Sequence, residues 1–208
     1  LAPLFSDLPT PVLAVIIIDA VVFGMMDVPE MRRLWRVKRA DFWIAVAAVL
    51  GVLSVGILAG VVVGMVLSLA WVVYVSTHPS VAVLGREPGG TGFQDLTVHP
   101  ESETWPGILV LRFDAGLSFV TAEELAEHVR SGLRGEEPLR AVIIDFAGVN
   151  FIDSQGASQL ADLVDEAERA GVSLRLARVK PDVRHTLERD GVLATLGDDH
   201  LHPNLDTA

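Results

Sequence analysis

The stretch NFIDSQGASQL, Asn150–Leu160, stands just behind the apolar run AVIIDF, Ala141–Phe146. That run is short and almost continuous, as expected of an interior strand. From Ala157 onward Leu160, Ala161, Val164 and Ala167 recur at helical spacing, while Gln159, Asp162, Asp165, Glu166 and Arg169 lie mostly off that face. Asn150–Leu160 is therefore a strand-to-helix junction, and it sets an acid, a hydroxyl and a glycine side by side. The oxygens of Asp153 and Ser154 can accept hydrogen bonds from the free N–H groups of the first helical turn. The helix dipole favours negative charge at the same place.

The alternation of strand and helix continues on both sides of the junction. Upstream, a short strand is expected around Val81–Leu84, followed by a glycine-rich turn at Gly89–Gly92. ILVLRF, Ile108–Phe113, is a β-rich run, and Leu117–Val120 can form a second short strand after the turn DAG. Thr121 and Glu124 have capping-box spacing ahead of Ala122, Leu125, Ala126, Val129 and Leu133, which mark one buried helical face. Downstream, Gly171 ends the junction helix and SLRLAR, Ser173–Arg178, alternates like an edge or half-covered strand. Pro181 then opens a helix that Gly191 closes. The pattern predicts an α/β domain over residues 93–208, with about 115 residues for one modest core.

The rest of the chain is a different material. The 208 residues carry a formal charge of −11, yet residues 1–78 are neutral, with five basic side chains (Arg32, Arg33, Arg36, Lys38, Arg39) and five acidic ones (Asp7, Asp19, Asp27, Glu30, Asp41). The whole net charge thus sits in the second part, which argues for two environments. An acidic domain is a poor nucleic-acid binder, because phosphate contacts need clustered Lys and Arg. With no cysteine, disulfides and cysteine-based metal sites or nucleophiles are excluded. No basic n-region precedes the first apolar stretch, so it does not read as a secretory signal. The chain, opening at Leu1, is expected to be the carboxyl-terminal piece of a longer protein.

Phe42–Val75 is a run of 34 residues without a formal charge. One helix of that length would reach roughly 51 Å, against a bilayer core of about 30 Å. A folded-back pair of helices fits better, with a break near Gly51–Gly56, and one long tilted helix is the alternative. The expected membrane segments are residues 12–26, 42–55 and 57–75, with residues 79–92 as linker. Five basic residues within Arg32–Arg39, flanked by Trp35 and Trp43, predict a cytoplasmic loop at the interface. Gly56, Gly60, Gly64 and Ser68 recur every four residues and suit close helix packing, although glycine is also simply common in membrane helices. Asp19, an acid within VIIIDAVVFG, needs a polar cavity, a partner or the interface.

Catalysis at the junction would require a base beside Ser154 and an oxyanion site. The nearest histidines in sequence are His128 and His185, and the flanking residues do not form the G-x-S-x-G elbow. No catalytic residue, cofactor or metal is expected.

VIIDFAGVNFIDSQGASQL, with LRFDAGLSFVTAEEL before it and LARVKPDVRHTLERDGV after it, resembles a STAS domain, the module named for sulfate transporters and anti-sigma-factor antagonists. The preceding residues, from Leu8 to Gly85, resemble the last membrane segments of SulP-type anion permeases and their link into a STAS domain. The resemblance implies helical membrane segments followed by a cytoplasmic α/β STAS domain whose central β-sheet is flanked by helices, and it favours the hairpin. It further implies a dimeric, multi-pass secondary transporter of the inner (plasma) membrane. The implied substrates are sulfate, bicarbonate or dicarboxylates, bound by segments upstream of this chain. The expected partners are the lipid bilayer, a second copy, the anion and a cytoplasmic regulatory protein, with no nucleic acid. A membrane-tethered STAS module that binds a partner and moves no solute is the alternative.

Asp153, Ser154, Gln155 and Gly156 form the expected regulatory loop. In the antagonists that use this loop as a phosphorylation switch, the hydroxyl residue stands immediately before the glycine, where this chain has Gln155. The switch is therefore not carried over. The readings of the loop rank as helix start, then partner surface, then phosphorylation at Ser154, then catalysis.

Overall fold

The computed structural model describes residues 10–24, 27–135 and 138–208. Leu1 and residues 25 and 26, the end of the first expected membrane segment, lie outside them. The chain divides into two compact units, one ending at Val72 and one comprising Val73–Ala208.

The first unit is helical: α1 (Thr10–Gly24), α2 (Val28–Val37), α3 (Arg39–Val55) and α4 (Ile57–Thr77), whose last residues belong to the second unit. Among the described residues α4 is the one helix long and apolar enough to cross a membrane, and Pro11–Val22 is a shorter apolar helix. Between α3 and α4 the chain turns at Gly56, whose φ of 113° is open to glycine and strained for other residues. Beyond the turn α4 folds back along α3. Gly60 lies directly against Val52, and a methyl group on Gly64 would sit 3.0 Å from the Ala48 Cβ.

The basic stretch expected as a loop is instead the helix α2. Asp27 caps it, accepting the Glu30 N–H at 2.9 Å, and Pro29 pre-sets the first turn. Glu30 and Arg33, three residues apart, form a two-point ion pair that further supports the turn.

In the second unit the order is β1 (Val81–Arg86), β2 (Phe93–Asp95), β3 (Ile108–Phe113), α5 (Ala122–Leu133), β4 (Ala141–Asp145), α6 (Ser154–Arg169), β5 (Ser173–Ala177), α7 (Pro181–Asp190), α8 (Val192–Leu196) and β6 (Leu201–His202). They build one mixed sheet in the order β2-β1-β3-β4-β5-β6, in which β3 to β6 are parallel and β1 runs antiparallel to β2 and β3. The parallel crossovers share one hand and place their helices on one face of the sheet. There Leu111, Phe113, Val142, Ile144, Leu174 and Leu176 pack against Leu125, Val129, Leu160, Val164, Val183 and Leu187. The opposite face carries a smaller cluster of Leu84, Val110, Ile143, Ala177 and Leu205, to which no helix contributes among the described residues.

Two local expectations are corrected, and a third, left between two alternatives, is decided. Leu117–Val120 is not a strand: Leu117 makes a single bridge to Ile152 and the chain then turns. Thr121 does not cap α5, because its hydroxyl turns back to close Gly116–Thr121, donating to the Gly116 carbonyl at 2.7 Å and accepting the Ser118 N–H at 2.9 Å. Of the two readings of Ser173–Arg178, the half-covered strand fits the alternating burial of β5, and the edge does not, since β6 pairs beyond it.

Candidate functional site

The junction is built where the sequence reading placed it, at the carboxyl end of β4. Asp153 is extended (φ −92°, ψ 170°) and its Oδ1 accepts the Gly156 N–H at 2.6 Å. Its own N–H donates to the Leu117 carbonyl at 3.1 Å, and the Leu117 N–H donates to the Phe151 carbonyl at 3.0 Å. The loop after β4 is thereby stitched to the loop after β3. Gly156 permits this, because a methyl group there would lie 2.5 Å from the Leu117 carbonyl oxygen. Ser154, expected to share the capping, does not: it is exposed and makes no hydrogen bond through its side chain among the described residues. Gln155 is exposed beside it.

Beneath the junction lies a buried charge cluster that sequence reasoning missed. Asp145, at the end of β4, is fully buried. Arg112 Nε donates to its Oδ2 at 3.0 Å, Arg178 donates to both of its oxygens, and the Ala147 N–H donates to Oδ1 at 3.1 Å. Burial alone would raise the Asp145 carboxyl's pKa. The donors Arg178, Ala147 N–H and Arg112 together outweigh it and hold the group below the usual carboxylate range. The same pairing raises the pKa of Arg178. Register accounts for half of the meeting, since Arg112 on β3 is paired with Asp145 on β4. Arg178 follows β5 in a left-handed conformation, φ 58°.

Three loops thus meet at the carboxyl ends of β3, β4 and β5, the end of a parallel sheet at which α/β folds place their binding surfaces. Lys180 Nζ, after β5, donates to Asn150 Oδ1 at 2.6 Å. Around the junction Phe119, Val120 and Phe151 are left 63%, 49% and 57% exposed. An apolar patch with a polar rim suits contact with another protein. His128 Nδ1 pairs with the Glu124 carbonyl on α5, and His185 is exposed on α7. Neither forms a hydrogen bond to Ser154 that would make it a nucleophile.

A second feature absent from the sequence reading lies at the other end of the helix-free face. A recess of about 470 Å³ has an apolar floor that includes Trp105, Ile108 and Ile143, with Arg86, Arg140 and Arg175 around it. Asp206 pairs with Arg86, and Arg175 donates to the Ala208 carbonyl.

In the first unit, Gly60 and Gly64 of the glycine series face α3, Gly56 forms the turn, and Ser68 is exposed. Asp19 is exposed on α1.

A family model described as STAS domain matches residues 99–208, and one described as Sulfate permease family matches residues 1–48. The chain is 33% identical over 207 residues to a probable sulfate transporter 4.2 of Arabidopsis thaliana, covering 95% of this chain and 30% of that one. It is 30% identical over 207 residues to a probable sulfate transporter of Mycobacterium tuberculosis, covering 99% and 37%. The chain spans about a third of the length of these curated relatives. In fold it is similar to the murine Solute Carrier 26 family member A9 anion transporter, with a TM-score of 0.73 at 22% identity over 88% of this chain and 30% of that one.

Proposed function

The chain belongs to the STAS-domain family, with a segment of the sulfate permease family ahead of the domain, and on that premise we propose that it is the carboxyl-terminal part of a secondary anion transporter. The observation that carries the reading is the order of the two matched segments, permease then STAS, within one chain whose sulfate-transporter relatives align over nearly its full length. Sulfate is the favoured substrate, with bicarbonate and dicarboxylates in the same class. The substrate site belongs to membrane segments outside these residues.

The STAS domain faces the cytoplasm and supports dimerisation, folding and regulation of the transporter in the plasma membrane. Its regulatory contact is the junction around Asp153, Ser154, Gln155 and Gly156. The exposed Phe119, Val120 and Phe151 beside it support a protein partner there, and the Asp145 cluster keeps the three loops in place. The turn at Gly56 supports an α3–α4 hairpin that returns the chain to the side from which it entered.

The test is uptake by the full-length protein in liposomes against a panel of labelled sulfate, bicarbonate and dicarboxylate. Accumulation of at least one above protein-free liposomes is expected. Accumulation of none, with a partner protein still captured by the STAS domain, would replace the transporter with the membrane-tethered regulatory module.

A further inference from the structure

Arg36 is four residues from Arg32 and three from Arg33 on α2, so the three share one face of that helix, while Val28, Met31 and Trp35 share the adjoining face. The basic face lines a recess of about 370 Å³ with Pro29 and Val37. The adjoining face forms a second recess of about 300 Å³ in which Val28, Met31, Trp35 and Phe42 are apolar and Arg32 and Arg36 recur. The same two guanidinium groups therefore border both recesses.

Their charges are available. Arg33 is engaged at two points by Glu30, but Arg32 and Arg36 make no hydrogen bond or ion pair among the described residues. Trp35 is fixed in place on its side of the helix. Its ring meets Phe42 edge-on at 4.9 Å and Trp43 at 6.2 Å, and the Arg39 guanidinium lies 5.4 Å from its centre. Trp35 and Trp43 remain 45% and 59% exposed, as rings at a membrane–water boundary do.

A ligand that uses both recesses must be anionic at one end and apolar at the other. A basic, Trp-bearing amphipathic helix lying between apolar helices meets that chemistry in an anionic phospholipid. We infer that α2 holds the headgroup phosphate of an anionic phospholipid on Arg32 and Arg36, with an acyl chain along Val28, Met31, Trp35 and Phe42. Arg33 adds to the field, and its pairing with Glu30 keeps it from the first rank. The inference rests on the membrane reading proposed above. A soluble phosphate would occupy the basic recess alone, which separates the two sources of the same chemistry.

The experiment uses the full chain carrying Trp43→Phe, Trp71→Phe and Trp105→Phe, so that Trp35 is the one fluorophore of its kind. The protein is reconstituted in phosphatidylcholine liposomes containing a minor fraction of brominated phosphatidylglycerol or, separately, of brominated phosphatidylcholine. Brominated phosphatidylglycerol should quench Trp35 at lower mole fraction than the zwitterionic lipid. Arg32→Gln with Arg36→Gln should weaken that preference roughly fivefold per arginine. Arg32→Lys with Arg36→Lys should retain most of it. Equal quenching by the two lipids overturns the inference, as does equal loss in the Lys and Gln variants, which would assign the effect to folding. Loss of the preference on adding inorganic phosphate at constant ionic strength transfers the site to a soluble anion. Quenching by neither lipid overturns the membrane reading itself.

Discussion

Arg178 Nε donates to Asp145 Oδ1 at 2.9 Å while a second nitrogen of the same guanidinium reaches Oδ2, and the Arg178 backbone is held at φ 58° as it does so. With Arg112 on the other side, the pairing ties the ends of β3, β4 and β5 into one support for the junction loop. Removing Asp145 would leave two guanidinium groups facing each other without the carboxylate they share, with Asp114 near Arg178 and Asp95 near Arg112 offsetting part of the charge. Because both arginines are partly exposed, water offsets some of the loss, and Asp145→Ala should destabilise the domain by about 3 kcal/mol. Thermal unfolding of the full chain in detergent, followed by circular dichroism, checks it.

The same cluster predicts a pH dependence with a definite sign. The folded Asp145 carboxyl titrates below its ordinary value. Its stabilising contribution is therefore complete above about pH 4, where the unfolded group is ionised, and is lost as pH falls through the lower folded value. Melting temperature should drop on acidification below about pH 4, and the drop should be shallower in Asp145→Asn. Parallel acid limbs in the two proteins would assign the loss to other carboxylates.

At the junction, capping rests on Asp153 rather than Ser154. Asp153→Ala should cost about 1 kcal/mol of domain stability. Ser154→Ala, at an exposed side chain without a hydrogen bond among the described residues, should change the melting temperature little. A reversed order in the two melting curves would show the hydroxyl to be the cap.

Gly156→Ala should be more damaging than a glycine-to-alanine change inside a helix ordinarily is, since both atoms in conflict are fixed by backbone structure. The overlap with the Leu117 carbonyl should cost about 1–3 kcal/mol. Limited proteolysis should then cut the loops after β3 and β4 faster than in the parent protein.

The hairpin can be tested with the chain's lack of cysteine as an advantage. Ala48 and Gly64 approach closely enough for a disulfide after a small shift. Ala48→Cys with Gly64→Cys should lose maleimide reactivity on mild oxidation, and each single variant should keep it. Persisting reactivity in the double variant would mean that α3 and α4 do not fold back.

What could be read from the sequence is what depends on neighbours a few residues apart. Ala141–Phe146 and the periodic face of α6 were legible because a buried strand and a half-buried helix impose different spacings on apolar side chains. α2 was not, because its basic content reads as loop and its helicity comes from the Asp27 cap, Pro29 and the Glu30–Arg33 pair. β6 is two residues long and forms only against β5. Asp145 is a single acid within the nearly continuous apolar run Ala141–Phe146. Its two arginines lie 33 residues before and 33 residues after it, and they meet only through the pairing of β3 with β4 and the left-handed backbone at Arg178 beyond β5.

The central claim is that these residues serve an anion transporter whose STAS domain supports its membrane part. Uptake of labelled sulfate, bicarbonate and dicarboxylate into liposomes by the full-length protein, compared with the protein lacking residues 93–208, tests it most directly. The account predicts uptake above protein-free liposomes by the intact protein, and reduced uptake or yield without the domain. No uptake by the intact protein, or unchanged uptake and yield after the deletion, would contradict it.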